Sequence, residues 1–172
     1  MPIGYKNGTD GTASIAINAM QAAARPHHFL GINREGKASI VSTTGNPDGH
    51  MVLRGGKAGT NYHSEAVLAV VEELSRARLT NRLMIDCSHD NSNKDYRRQA
   101  DVLKNVAGQV SHASINIMGV MLESHLVSGN QKLSEGITNL TYRQSITDAR
   151  IDLSTTTTLL EELAEAVATK NG

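Results

Sequence analysis

Aromatic residues are scarce: the 172-residue chain has no tryptophan, one phenylalanine and four tyrosines. Its core must therefore be built from aliphatic side chains, and a 39% hydrophobic content is enough for one domain or a large piece of one. Cysteine is scarcer still. Cys87 stands alone, which excludes an internal disulfide and fits a reducing compartment. Neither charge sign dominates, with 17 Lys+Arg against 17 Asp+Glu, so there is no basic field for nucleic acid or a membrane surface. No apolar run approaches ~18 residues, and the N-terminus lacks a basic-then-apolar pattern. A soluble cytoplasmic protein without a membrane span or secretory signal is the expectation.

What the chain does have is a repeated unit. The run at 83–87, apolar except for Asp86, is short enough for a buried strand, and Ser88-His89-Asp90-Asn91 follows it in polar residues. In folds of parallel strands and helices, polar residues at the carboxyl ends of strands sit where chemistry happens. Runs at 1–5, 50–53 and 115–122 end the same way. Helical periodicity follows at 12–24 (Ile15, Ala16, Ala19, Met20, Ala23), at 64–77 (Val67, Leu68, Val71, Leu74) and at 101–110 (Val102, Leu103, Val106, Val110). A C-terminal helix carries Leu159, Leu160, Leu163 and Val167, with Ser154 or Thr155 as its cap. One hairpin interrupts the rhythm, spanning 28–43 around Asn33-Arg34-Glu35-Gly36, and 124–144 reads as an unusually long loop. Four strands each followed by a helix require a parallel α/β sheet, either a small open one or four of the eight units of a barrel.

The strand tips Lys6, Arg54, His89 and Glu123 gather at one edge in either architecture. Lys6 and Arg54 supply positive charge beside glycines that would let a ligand approach the backbone, which suits a phosphate or carboxylate. Neither glycine cluster matches a P-loop or dinucleotide fingerprint. His89, Glu123 and Asp148 offer an imidazole and two carboxylates, a donor set for Mn²⁺, Fe²⁺, Co²⁺ or Zn²⁺. They could equally be a hydrogen-bonded histidine, a solvated glutamate and a turn-capping aspartate, and spacing alone favours that reading.

Five segments shift the balance. Gly4-Tyr5-Lys6-Asn7-Gly8-Thr9-Asp10-Gly11, Leu53-Arg54-Gly55-Gly56-Lys57, Met84-Ile85-Asp86-Cys87-Ser88-His89, Gly119-Val120-Met121-Leu122-Glu123-Ser124 and Ser145-Ile146-Thr147-Asp148-Ala149 occur in that order. Over nearly the whole chain they resemble the second half of the class I, metal-dependent 3-deoxy-D-arabino-heptulosonate 7-phosphate synthases. The resemblance implies a TIM barrel of which residues 1–172 supply one C-terminal half, strands five to eight. It also implies the first reaction of the shikimate pathway, an aldol-like condensation of phosphoenolpyruvate with erythrose 4-phosphate. Lys6 and Arg54 match the family's phosphoenolpyruvate-binding positions. His89, Glu123 and Asp148 match three of its four ligands to a divalent metal ion, which makes His89 and Asp148 candidate catalytic positions. The hairpin matches an insertion that helps form the feedback-inhibitor pocket, with Phe29 and Gly31 as candidate effector contacts. Gly31 is similar to tyrosine-sensitive members, where phenylalanine-sensitive forms tend to have Ser.

Departures from the family pattern cluster near the C-terminus. Arg143 follows Tyr142 where a small residue is usual, Arg150 replaces a Cys, and Asp152-Leu153-Ser154 replaces Gly-Trp-Glu. The first barrel half would be missing, with the family's metal-binding Cys, its catalytic Lys and further phosphate ligands. Cys87 is a poor substitute, two residues back from His89 along an extended chain, or about 7 Å. Three readings follow: an enzyme fragment active only with its other half, a non-catalytic binding or regulatory module, or a truncated inactive product. A half-barrel would expose strand edges at 2–5 and 115–122 together with an apolar interior. The purified chain is therefore expected to associate, with a separate first half or a second copy, and light scattering at micromolar concentration should give a mass above that of a monomer.

Overall fold

Parallel pairing needs a crossover between neighbouring strands, and the helical stretches between the apolar runs supply it. The computed structural model describes residues 1–112, 116–133 and 136–170. In chain order the elements are β1 (Ile3–Lys6), α1 (Ser14–Ala23), β2 (His27–Ile32), β3 (Ala38–Thr43), β4 (Gly49–Leu53), α2 (Ser64–Arg76), β5 (Leu83–Asp86), α3 (Gln99–Ser111), β6 (Ile117–Met121), β7 (Val127–Asn130), β8 (Gln144–Ser145) and α4 (Leu153–Lys170). The four-stranded sheet runs β1-β4-β5-β6 with every neighbour parallel. This is the mixed α/β class expected. Among the described residues no helix is long and apolar enough to cross a membrane.

Alternation along the strands sorts the two sheet faces. Met51, Leu53, Leu83 and Ile85 face the helices and are fully buried against Ile17, Met20, Val67, Leu74, Leu103 and Val106, among others. The opposite face carries Gly4, Lys6, Val52, Met84 and Asp86 at the alternate positions. Gly4 is there for space, since a Cβ would stand 2.8 Å from a Val52 methyl carbon.

Several expected boundaries move, each for a physical reason. β1 starts at Ile3, because Pro2 has no N–H to give a ladder. On α1 the buried stripe is Ala13, Ala16, Ile17 and Met20, and Ile15 is exposed. On α2 Leu68 is likewise exposed, with Val70 packed on the core beside Val71. The α3 stripe of Val102, Leu103, Val106 and Val110 is buried as expected. On α4 Leu159 is buried and Leu163 partly so, but Leu160 and Val167 are exposed. The fourth apolar run is a strand over Ile117–Met121; residue 115, expected to begin it, lies outside the described residues.

The segment expected to be a loop at 124–144 is partly organised. It contains β7 and the short turn Ile137–Asn139, and it leads into β8, which pairs parallel with β7. Beyond it, Ser124 and Ile151 form a parallel bridge through His125 N–H to Ile151 O at 2.9 Å and Ile151 N–H to Glu123 O at 3.1 Å. Ile151 thus occupies a fifth parallel position beside the β6 end of the sheet, directly before α4. The four-unit count from sequence misses that position because it is one paired residue with no apolar run. β6 remains at the edge of the four-stranded sheet, and the Ile151 pairing lies just beyond it, at 123–125.

The hairpin pairs β2 with β3 from His27–Thr43 to Ile32–Ala38, one residue longer than the expected 28–43. Asn33 closes its five-residue turn by accepting the N–H of Glu35 and of Lys37 on Oδ1, at 3.0 and 2.9 Å.

The cap of α4 is Asp152, two or three residues earlier than the Ser154 or Thr155 expected: its Oδ1 accepts the Thr155 N–H at 2.8 Å. That hydrogen bond holds the Asp152 carboxyl below its ordinary value. Asp152→Ala should lower stability by about 1 kcal/mol in urea unfolding at neutral pH. Because the folded-state pKa is depressed, the contribution is present above the ordinary carboxylate range and is lost as pH falls through the depressed value. The gap between the two proteins should therefore close in acid.

Candidate active site

Three asparagines hold the strand tips together. Asn7, buried after β1, accepts the Arg54 N–H on Oδ1 at 2.8 Å and donates to Gly55 O at 2.9 Å. Asn61 accepts the Gly55 N–H at 2.7 Å, and its own N–H donates to Asn91 Oδ1 at 2.9 Å. Asn91 donates through Nδ2 to Leu53 O at 3.1 Å and Asp86 O at 2.9 Å. The network ties the ends of β1, β4 and β5 to one another by side chains where the ladder has ended. The glycines beside Lys6 and Arg54 serve this loop-to-loop packing. A Cβ on Gly56 would collide with the backbone of Gly11, and Gly55 adopts φ +73°. Lys57 N–H donates to Thr9 O across the same contact at 2.9 Å.

His89 follows β5 with φ +51°, a left-handed backbone uncommon outside glycine. Its Nδ1 lies 2.9 Å from Asp86 Oδ2 and its Nε2 lies 3.8 Å from Glu123 Oε1. Glu123 is positioned through its backbone. The buried Gln99 of α3 accepts its N–H at 2.8 Å and donates to its carbonyl at 3.2 Å. Asp148 is exposed and arrives on the segment after β8, where Asn130 Nδ2 donates to Thr147 O at 2.8 Å and Arg150 bridges to Gly129. One ligand atom from each of His89, Glu123 and Asp148 falls within 4.8 Å of the others. Imidazole plus two carboxylates at that spacing fit a divalent transition ion, with the sequence-expected ligands brought together.

These residues line a cavity of about 530 Å³ with Arg54, Lys94 and Tyr96. The Arg54 Nε is buried without a hydrogen-bond partner, and its guanidinium is 3.9 Å from Asp90. It has donors to spare for an anion. Lys6, the other expected anion ligand, does not line the cavity. Its Nζ donates instead to Asp86 Oδ2 at 2.8 Å. Phe29 and Gly31 also lie apart from it, on the hairpin, where Phe29 is half exposed. A Cβ on Gly31 would stand 2.8 Å from a Val41 methyl carbon, so a larger residue there must displace Val41. Arg150 is outside the lining; its Nη2 donates to Thr147 Oγ1 at 3.5 Å. Arg143 stacks on Tyr142 with φ +67°.

Sequence reasoning gave no role to Asp86, Gln99, Lys94 or the three asparagines. Asp86 had a signal: an acid closing an apolar strand, three residues before a candidate ligand. It is completely buried. Burial would raise its carboxyl, but hydrogen bonds from Lys6 and Ser88 with the charge of a nearby His89 outweigh that and hold it below the ordinary value. Cys87 is buried as well, and desolvation pushes its thiol up to about 12.

The family model that matches residues 1–161 is described as the DAHP synthetase I family. A tyrosine-sensitive phospho-2-dehydro-3-deoxyheptonate aldolase of Enterobacter agglomerans is 50% identical over 163 residues, which is 95% of this chain and 76% of that protein. The tyrosine-sensitive aldolase of Escherichia coli K12 is 48% identical over 163 residues, 95% of this chain and 46% of its own length. The solved phospho-2-dehydro-3-deoxyheptonate aldolase of Francisella tularensis SCHU S4 superposes with a TM-score of 0.92 at 44% identity, over 99% of this chain and 49% of that one. The chain thus spans about half the length of the Escherichia coli and Francisella proteins.

Metal binding separates the histidine from the cysteine. Zn²⁺ titrated by calorimetry should bind the chain, and His89→Ala should abolish binding while Cys87→Ser changes the affinity by less than about threefold, because a thiol with so high a pKa stays protonated. The reverse pattern would remove His89 from the site.

Proposed function

The chain belongs to the DAHP synthetase I family, and we propose that it supplies the substrate- and metal-binding C-terminal half of a TIM-barrel synthase. The enzyme would condense phosphoenolpyruvate with erythrose 4-phosphate to 3-deoxy-D-arabino-heptulosonate 7-phosphate. The observation that carries the reading is one cavity holding Arg54, with an unpartnered buried Nε, against the His89–Glu123–Asp148 donor set. β1, β4, β5, β6 and the Ile151 position are the barrel's consecutive parallel strands, one more than strands five to eight. Residues 28–43 are an inserted hairpin, and 124–144 lie on the active face.

His89, Glu123 and Asp148 would hold the divalent ion. When bound, that ion supplies Lewis acidity toward the aldehyde of erythrose 4-phosphate. Arg54 holds the phosphate or carboxylate of phosphoenolpyruvate, and a bidentate contact fixes its plane so that C3 faces the aldehyde carbon. Lys6 backs this position from the Asp86 side, its side chain about a third exposed. Lys94, at the cavity mouth, adds a second cation for a phosphate. On the hairpin, Phe29 and Gly31 contribute to an effector pocket for an aromatic amino acid, tyrosine on the pattern of the relatives' names. The remaining partner is a first barrel half or a second copy of this chain, in a cytoplasmic setting.

Phosphoenolpyruvate consumption dependent on erythrose 4-phosphate tests the proposal. The 172 residues alone should show none, with or without Mn²⁺. Adding the first half of the Escherichia coli relative should restore it. In that mixture Arg54→Ala should lower the rate about 10²-fold or more, the scale associated with ~1 Å misplacement of a substrate. Phosphoenolpyruvate binding without turnover in the mixture would favour the non-catalytic module. Turnover by the chain alone, lost in Lys6→Ala, would overturn the half-enzyme reading.

A further inference from the structure

Asp86 has no solvent exposure, and both its oxygens are fully engaged. Oδ1 accepts the Ser88 N–H at 2.9 Å and the Ser88 hydroxyl at 2.5 Å. Oδ2 accepts from Lys6 Nζ at 2.8 Å and stands 2.9 Å from His89 Nδ1. The second neighbour of Nδ1 is Ser88 Oγ, at 2.8 Å. A hydroxyl has one proton to give, and here a carboxylate at 2.5 Å is the stronger acceptor for it. Both atoms facing Nδ1 are then acceptors, so in the neutral ring Nδ1 is the nitrogen that carries the proton. The other nitrogen, Nε2, is left with a lone pair 3.8 Å from Glu123 Oε1, on the side of the candidate metal ligands.

We propose that Asp86 is the positioning residue of this site: it fixes His89 as the Nδ1–H tautomer and so aims the Nε2 lone pair at the space between Glu123 and Asp148. The proposal rests on the metal-site reading above for its purpose, and on the proton count alone for its geometry. The same Oδ2 also receives Lys6, so one buried oxygen joins the anion-binding side of the site to the imidazole. The left-handed backbone at His89 is what lets a side chain three residues beyond Asp86 fold back onto it.

The test reads the tautomer directly. The full chain, labelled with ¹⁵N at histidine and free of metal, is studied by long-range ¹H–¹⁵N correlation above the ordinary imidazole range. The His89 ring is assigned by its disappearance in His89→Gln. The parent should show the Nδ1–H form. Asp86→Ala should lose it, and Zn²⁺ affinity by calorimetry should fall about 10–100-fold, the usual effect of removing a carboxylate behind a ligating histidine. Ser88→Ala, which removes only the shared hydroxyl, should retain the Nδ1–H form. An Nε2–H ring in the parent overturns the proposal, as does Asp86→Ala with unchanged tautomer and affinity. If Asp86→Ala does not fold, the parent and Ser88→Ala still decide, since loss of the Nδ1–H form in Ser88→Ala would assign the role to the serine. No substrate enters these measurements. A parent with the Nδ1–H ring whose mixture with the first half shows no synthase turnover would support this assignment while sinking the synthase reading.

Discussion

A buried carboxylate without partners would forfeit several kcal/mol of hydration, so Asp86 must be surrounded by donors. The need organises the end of β5. Ser88 turns back to supply two donors, His89 takes a left-handed backbone to supply a third, and Lys6 crosses from β1 to supply the fourth. Each of these residues belongs to a strand tip or the turn just after one. Satisfying one oxygen pair therefore fixes the relative placement of β1 and β5 across the intervening β4.

The asparagine network does the same work with neutral groups. Asn7, Asn61 and Asn91 take up backbone donors and acceptors that the sheet ladder leaves unpaired where its strands end. Because these side chains bond backbone rather than one another for the most part, they fix loop shape and leave Arg54 free. An arginine on a loop so held can keep an unpartnered Nε under cover, which a freely moving side chain would not tolerate. Rigid support beneath and a spare donor above are the conditions for gripping an anion in one orientation.

The hairpin stands outside this economy. Leu30, Ile32 and Ile40 are exposed on one of its faces, and its register is set by its own turn and ladder. Sequence change there can alter what the hairpin meets without disturbing the strand tips. Gly31 illustrates the point: the residue facing Val41 is limited by that one methyl group, a contact within the hairpin.

Sequence alone determined the α/β class, the four strands of the parallel sheet and the buried stripe of α3, while His89, Glu123 and Asp148 were singled out by the resemblance of their segments to a family. These depend on local apolar periodicity and on which residue types end a strand, and both are visible along the chain. Helix faces on α1, α2 and α4 were read one or more positions off, because Ile15, Leu68 and Leu160 fit the helical period and only packing says which side of a broad apolar arc is covered. The Ile151 position was invisible since a single paired residue has no period. Only the tertiary structure decided that Lys6 meets Asp86 rather than the cavity, that glycines beside the tips serve loop packing, and that Asp86 faces Nδ1 of His89. Those are contacts between residues as far as 80 positions apart, and a hydrogen bond is chosen by distance and proton count, neither of which a linear sequence contains.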